Sequence, residues 1–129
     1  MRHGRHIKIL GRGMSPLLAD IDRVRSFVAD LVVELGMRPL GEPILHDVVL
    51  DLAKLDVLPF SDEGGVTGTV VLSTSHIAIH TWPLRHFFVL DVFSCRDFDP
   101  ETVERCLSSA FGTFALKVVN VDVDYPADD

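Results

Sequence analysis

From Ser15-Pro16 to Gly36, the apolar residues Leu17, Leu18, Ile21, Val24, Phe27, Val28, Leu31, Val32 and Leu35 recur at helical spacing. This pattern predicts one long amphipathic helix, with Ser15 as N-cap and Pro16 at its first helical position. Asp20, Asp22, Arg23, Arg25, Asp30 and Glu34 fall on the opposite face and are expected in water. A shorter helix is predicted from Asp99-Pro100 to Gly112, with Val103, Cys106, Leu107, Ala110 and Phe111 on one side. Between the helices, β-branched and aromatic residues gather in four runs, Ile44 to Leu52, Val66 to Ser73, His76 to Trp82 and Phe87 to Phe93. Pro83 to His86 reads as a tight connection and Ser61 to Gly65 as a flexible turn, while Ile7 to Leu10 and Phe114 to Val123 add flanking strands. The order β-α-β-β-β-β-α-β predicts an α+β two-layer sandwich, an antiparallel sheet with two helices on one face. The uncovered face, of mixed polarity, calls for a site or a subunit contact.

At 129 residues the chain suffices for one domain, residues 1–129. Apolar residues at 47% and charged residues at 24% remove the compositional case for disorder. A net charge of −7 would repel a phosphate backbone, so no nucleic-acid partner is expected. The longest apolar runs, such as Val48 to Leu50 and Phe87 to Leu90, fall far short of the ~20 residues of a membrane span. The basic start Met1 to His6 leads into no apolar signal segment, and a cytoplasmic location is expected. Cys95 and Cys106 are read as thiols, Cys106 as part of the core.

Candidate chemistry concentrates in Ser73-Thr74-Ser75-His76-Ile77-Ala78-Ile79-His80-Thr81-Trp82-Pro83 and Asp91-Val92-Phe93-Ser94-Cys95. A metal held by His76, His80 and Cys95 is not expected, because four positions of strand separate the histidines by about 13 Å. A Cys95–His80 nucleophile pair on neighbouring strands is geometrically open. So is a plain reading in which both histidines are half-buried sheet residues and Cys95 is packing.

Thr74-Ser75-His76, Ile79-His80-Thr81-Trp82-Pro83 and Asp91-Val92-Phe93-Ser94-Cys95, preceded by Gly65-Val66-Thr67-Gly68, together resemble the small prokaryotic S-adenosylmethionine decarboxylase proenzymes. That family reads close to G-V-S-G, E-S-H-L-x-I-H-T-W-P-E and D-[IV]-F-T-C, and Gly4-Arg5-His6 looks like its N-terminal G-R-H. The resemblance implies that Ser75 attacks the Thr74 carbonyl, cleaves the chain into 1–74 and 75–129, and becomes a pyruvoyl group. Such a carbonyl forms a Schiff base with the substrate amine and acts as electron sink for decarboxylation. By the same resemblance His80 and Thr67 assist processing, and Cys95 returns a proton to the α-carbon. Strand alternation sets Ser75 and His80 on opposite faces, and a bend at Thr74-Ser75 is expected to reconcile them.

Two departures bear on processing, at Thr74, and on the substrate, at Leu84. Thr74 and Leu84 stand where the family has glutamates, the second of which holds ribose hydroxyls; losing it removes a buried acceptor worth on the order of 1–3 kcal/mol. Phe60, after Leu58-Pro59, is the candidate ring for adenine. The favoured function is a pyruvoyl-dependent S-adenosylmethionine decarboxylase of spermidine biosynthesis, working as a homodimer whose subunits contribute to sites near their contact. A pyruvoyl-dependent ornithine or arginine decarboxylase is the alternative, with Asp62 or Glu63 facing the distal cation. An uncleaved regulatory homologue is the third.

Overall fold

The computed structural model describes residues 2–49 and 63–126, and the chain runs β1 (Arg2–Arg12), α1 (Ser15–Leu18), α2 (Ile21–Glu34), β2 (Ile44–Val48), β3 (Gly65–Leu72), β4 (Ser75–Trp82), a 3₁₀ turn (Pro83–Arg85), β5 (Phe87–Ser94), α3 (Pro100–Phe111) and β6 (Ala115–Tyr125). The strands form one antiparallel sheet in the order β2-β3-β4-β5-β1-β6. The α+β sandwich is the expected one. The predicted end of the second strand, up to Leu52, lies outside the described residues beyond position 49, as do the first two residues of the predicted Ser61–Gly65 turn.

Strict alternation along the strands builds the core. Ile7 and Ile9 of β1, Ile77 and Ile79 of β4, and Phe88, Leu90 and Val92 of β5 are fully buried on one sheet face. They meet Val24, Val28 and Leu31 of α2 and Val103, Leu107 and Phe111 of α3 in a single cluster. Phe111 anchors the junction, its ring 5.1 Å from that of Phe27 and 6.3 Å from that of Phe88. Cys106 packs against this cluster but stays half-buried, at its rim rather than inside it.

The predicted long helix is two helices. Asp20, expected on the wet face, is instead extended (φ −90°, ψ 104°), and its carboxylate accepts the backbone N–H groups of Asp22 and Arg23, capping α2. The preceding turn begins after Met14, so Ser15 lies inside α1 rather than capping it. Thr81 explains the break: its buried hydroxyl donates to the Leu18 carbonyl (2.8 Å) and accepts from Val66 N–H (2.8 Å). The Leu18 carbonyl is thereby fixed to the sheet. Gly36 ends α2 as expected, at φ 65°, with Met37 N–H bonded to Val32 O and Gly36 N–H to Val33 O.

Candidate active site

The β3–β4 hairpin closes on the pair Leu72–Ser75, leaving Ser73 and Thr74 as its two-residue turn. Thr74 takes φ 55°, a left-handed conformation unusual for a β-branched residue. The expected bend therefore exists, and it sets the Thr74–Ser75 peptide at the end of the sheet. Register carries Cys95 to the same place: His76 pairs with Phe93, and Cys95 is the first residue past β5. The Ser75 hydroxyl accepts the Cys95 N–H at 3.2 Å. A hydrogen bond with the Thr74 side chain lowers the Cys95 pKa, against the upward pull of burial, and the Ser75 hydroxyl and Arg96 charge add to the lowering.

Thr74, Ser75 and Cys95 line an open cavity of about 1130 Å³ shared with His76, Phe93, Arg96, Tyr125 and Asp97. Arg5 holds the Asp97 carboxylate through its Nε and keeps that carboxyl below its ordinary range. Apolar rings, a guanidinium and a carboxylate around one reactive hydroxyl suit a small, charged, partly aromatic ligand.

Thr67 and His80 pair across β3 and β4, Oγ1 to Nδ1 at 3.1 Å, as the sequence grouped them. They lie on the open sheet face, whereas Ser75 is nearly buried on the helix face, five strand positions or roughly 16 Å away. The bend precedes Ser75, so the alternation from Ser75 to His80 is unbroken and the two sets stay apart within one chain. The Cys95–His80 pairing fails on distance, because His80 pairs with Val89, six positions or roughly 20 Å along the chain from Cys95.

Leu84 is exposed in the 3₁₀ turn, with no polar atom to offer a ribose. Its neighbour Arg85 grips Glu63 with a two-pronged hydrogen bond, Nε to Oε2 at 2.7 Å and Nη2 to Oε1 at 2.6 Å. The two segments are forced together, since a Cβ on Gly65 would sit 1.9 Å from the Thr81 carbonyl oxygen. Phe60 and Asp62 lie outside the described residues.

Sequence reasoning missed the partners of His76. Asp91 receives His76 Nε2 on one oxygen and His6 Nε2 on the other, both at 2.8 Å. Burial raises the Asp91 pKa, but the hydrogen bonds from the two imidazoles outweigh it, and the carboxyl is held below its usual range. Strand alternation alone would have put all three on the open face; the register that joins them could not be read before the strand order was known.

A family model described as S-adenosylmethionine decarboxylase matches residues 10–122. The S-adenosylmethionine decarboxylase proenzyme of Carboxydothermus hydrogenoformans is 35% identical over 112 residues, 84% of this chain and 76% of that protein. The proenzyme of Pelotomaculum thermopropionicum is 36% identical over 100 residues, covering 75% and 68%. A crystal structure of the adenosylmethionine decarboxylase from Aquifex aeolicus superposes with a TM-score of 0.69 at 19% identity, over 99% of this chain and 98% of the other, and shares the fold. With the family pattern running through β1, β3, β4 and β5, the chain belongs to the S-adenosylmethionine decarboxylase family.

Proposed function

We propose that this chain is a proenzyme that cleaves itself between Thr74 and Ser75 and then decarboxylates S-adenosylmethionine. The observation that carries the reading is the Thr74–Ser75 peptide in a left-handed turn, with the Ser75 hydroxyl against Cys95 in one cavity. The Ser75 Oγ attacks the Thr74 carbonyl carbon and the peptide nitrogen leaves, giving an ester. Loss of the Ser75 α-proton expels the Thr74 carboxylate, and water then releases ammonia. Left-handed backbone at a non-glycine residue costs on the order of 1–3 kcal/mol, which cleavage relieves.

The pyruvoyl group left at position 75 supplies an electron-withdrawing carbonyl for decarboxylation. Cys95 holds the proton that returns to the α-carbon. To donate, Cys95 must hold its proton as the thiol, and the Ser75 hydroxyl, one of the groups that lower its pKa, is consumed in processing. Phe93 and Tyr125 offer faces for adenine. The Arg85 guanidinium already neutralises Glu63, which leaves that carboxylate poorly suited to the distal cation of ornithine or arginine and favours S-adenosylmethionine. Thr67 and His80 act on the Ser75 of a second copy, across a homodimer joined through the open sheet faces. Among the described residues no helix is long and apolar enough to cross a membrane.

Intact mass measurement tests the cleavage: two fragments are expected from the wild type and one intact chain from Ser75→Ala. A wild-type chain still whole after prolonged incubation would favour the uncleaved regulatory reading. Carbon dioxide release is then compared across S-adenosylmethionine, ornithine and arginine, and efficient turnover of either amino acid alone would favour the alternative.

A further inference from the structure

Asp91 stands in β5, between β4 and β1. His76 of β4 and His6 of β1 both pair with Phe93, two positions along β5, and lean diagonally from opposite sides onto the one carboxylate. Phe93 fixes the two rings, stacked on His76 (5.7 Å between centroids, 18° between planes) and edge-on to His6 (5.7 Å, 81°). The donor atoms of His6, His76 and Asp91 all lie within 4.8 Å of one another, half-buried on three adjacent strands. A tetrahedral ion at ~2.0–2.2 Å from each ligand wants donors roughly 3.4 Å apart, so small rotations of the imidazoles bring this set to binding geometry.

We infer that His6, His76 and Asp91 form a site for a divalent transition-metal ion of the zinc type on the open face of the sheet. Two neutral imidazoles and one carboxylate suit zinc, cobalt or nickel; calcium and magnesium ask for more oxygens. The set differs from His76, His80 and Cys95, whose spacing spoke against a metal: here the ligands come from adjacent strands rather than from along one. Lys8, opposite Asp91 on β1, is the competing cation, and it is exposed. A bound ion would tie β4, β5 and β1 together, and Ser75 begins β4 while Cys95 follows β5. His76 and the ring of Phe93 also line the cavity beside Ser75. The inference is independent of whether Thr74–Ser75 cleaves.

Calorimetric titration of the chelator-stripped full chain with zinc at neutral pH tests it. One zinc per chain is expected. Asp91→Asn and His6→Gln should each lower affinity by roughly tenfold or more, since even outer partners of metal ligands are worth that much. Cys95→Ala and His80→Ala should bind as the wild type does. Affinity should fall in acid, because protons compete with the metal for its ligands. Zinc should raise the thermal midpoint of the wild type more than that of Asp91→Asn at the same concentration. Absence of zinc binding overturns the site, as does binding that His6→Gln leaves intact or that Cys95→Ala abolishes. Should Asp91→Asn fail to fold, the His6→Gln titration decides alone.

Discussion

The two thiols of this chain lie in opposite surroundings. Hydrogen bonds from Thr74 and Ser75 hold the Cys95 pKa below its ordinary value, whereas burial, aided by Glu34, pushes that of Cys106 up. The thiolate is the reactive form, so iodoacetamide should alkylate Cys95 in the intact precursor well before Cys106, and at a lower pH. Peptide mass mapping across a pH series checks this, and faster labelling of Cys106 would contradict the geometry at Ser75. Cys95→Ala should still cleave, because the attacking hydroxyl and the Thr74 carbonyl are untouched, but should lose most decarboxylation; full turnover in that variant would remove Cys95 from the chemistry. Leu84→Glu should lower KM for S-adenosylmethionine by roughly twofold to tenfold, because position 84 is exposed and a solvated acceptor is worth only about 0.5–1.5 kcal/mol. Steady-state kinetics read this directly, and an unchanged KM would place the ribose elsewhere.

At the scale of elements, the break between α1 and α2 marks where sequence pattern stops informing. The apolar spacing from Leu17 to Leu35 is continuous across Asp20. What divides the helix is a tertiary bond, Thr81 to the Leu18 carbonyl, from a strand more than sixty residues away. Asp20→Ala should therefore cost about 0.5–2 kcal/mol, read as a lower urea midpoint, since it removes the cap of α2 rather than a charge on a wet face. Strands, by contrast, were legible because every second residue of β4 and β5 is buried and the central ones, Ile77, Ile79, Phe88, Leu90 and Val92, are apolar. Ser75 and Cys95 were legible as a motif, but His6 and Asp91 acquire a joint role only through the order β4-β5-β1. That trio carries its own prediction. Burial alone would raise the Asp91 pKa, and the two histidine hydrogen bonds reverse the shift, so the folded pKa lies below the unfolded value near ~3.9. The stabilisation is thus present above that unfolded value and is lost as pH falls through the folded one. Urea midpoints of the wild type should exceed those of Asp91→Asn at neutral pH and converge with them in acid, below the ordinary carboxylate range; a gap that widens in acid would contradict the assignment.

At the scale of the molecule, the helices cover one face of the sheet and leave the other to Phe93, Val89, Trp82, His80 and Thr67, a mixed surface of the kind that suits a subunit contact. Thr67 and His80, proposed to assist processing, lie on that face, roughly 16 Å along the strand from the Ser75 hydroxyl. We propose that a two-fold axis between two such open faces closes the distance along the strand, because two-fold symmetry sets the same patch against itself and brings one end of β4 toward the other end of its copy; Ser75, on the helix face, is then reached at the end of β4, where it lines the cavity together with His76. Sedimentation should then show a species of twice the 14.3 kDa chain mass at micromolar concentration. A sharper test separates dimerisation from shared catalysis. Ser75→Ala has no nucleophile but an intact His80, and His80→Ala has the reverse. Each alone should remain largely uncleaved. Co-expressed, they should form mixed dimers in which the His80→Ala chain is cut, because its Ser75 faces the histidine of its neighbour. Mass analysis distinguishes the two chains, and a dimer in which neither chain is cut would mean that His80 does not act across the interface.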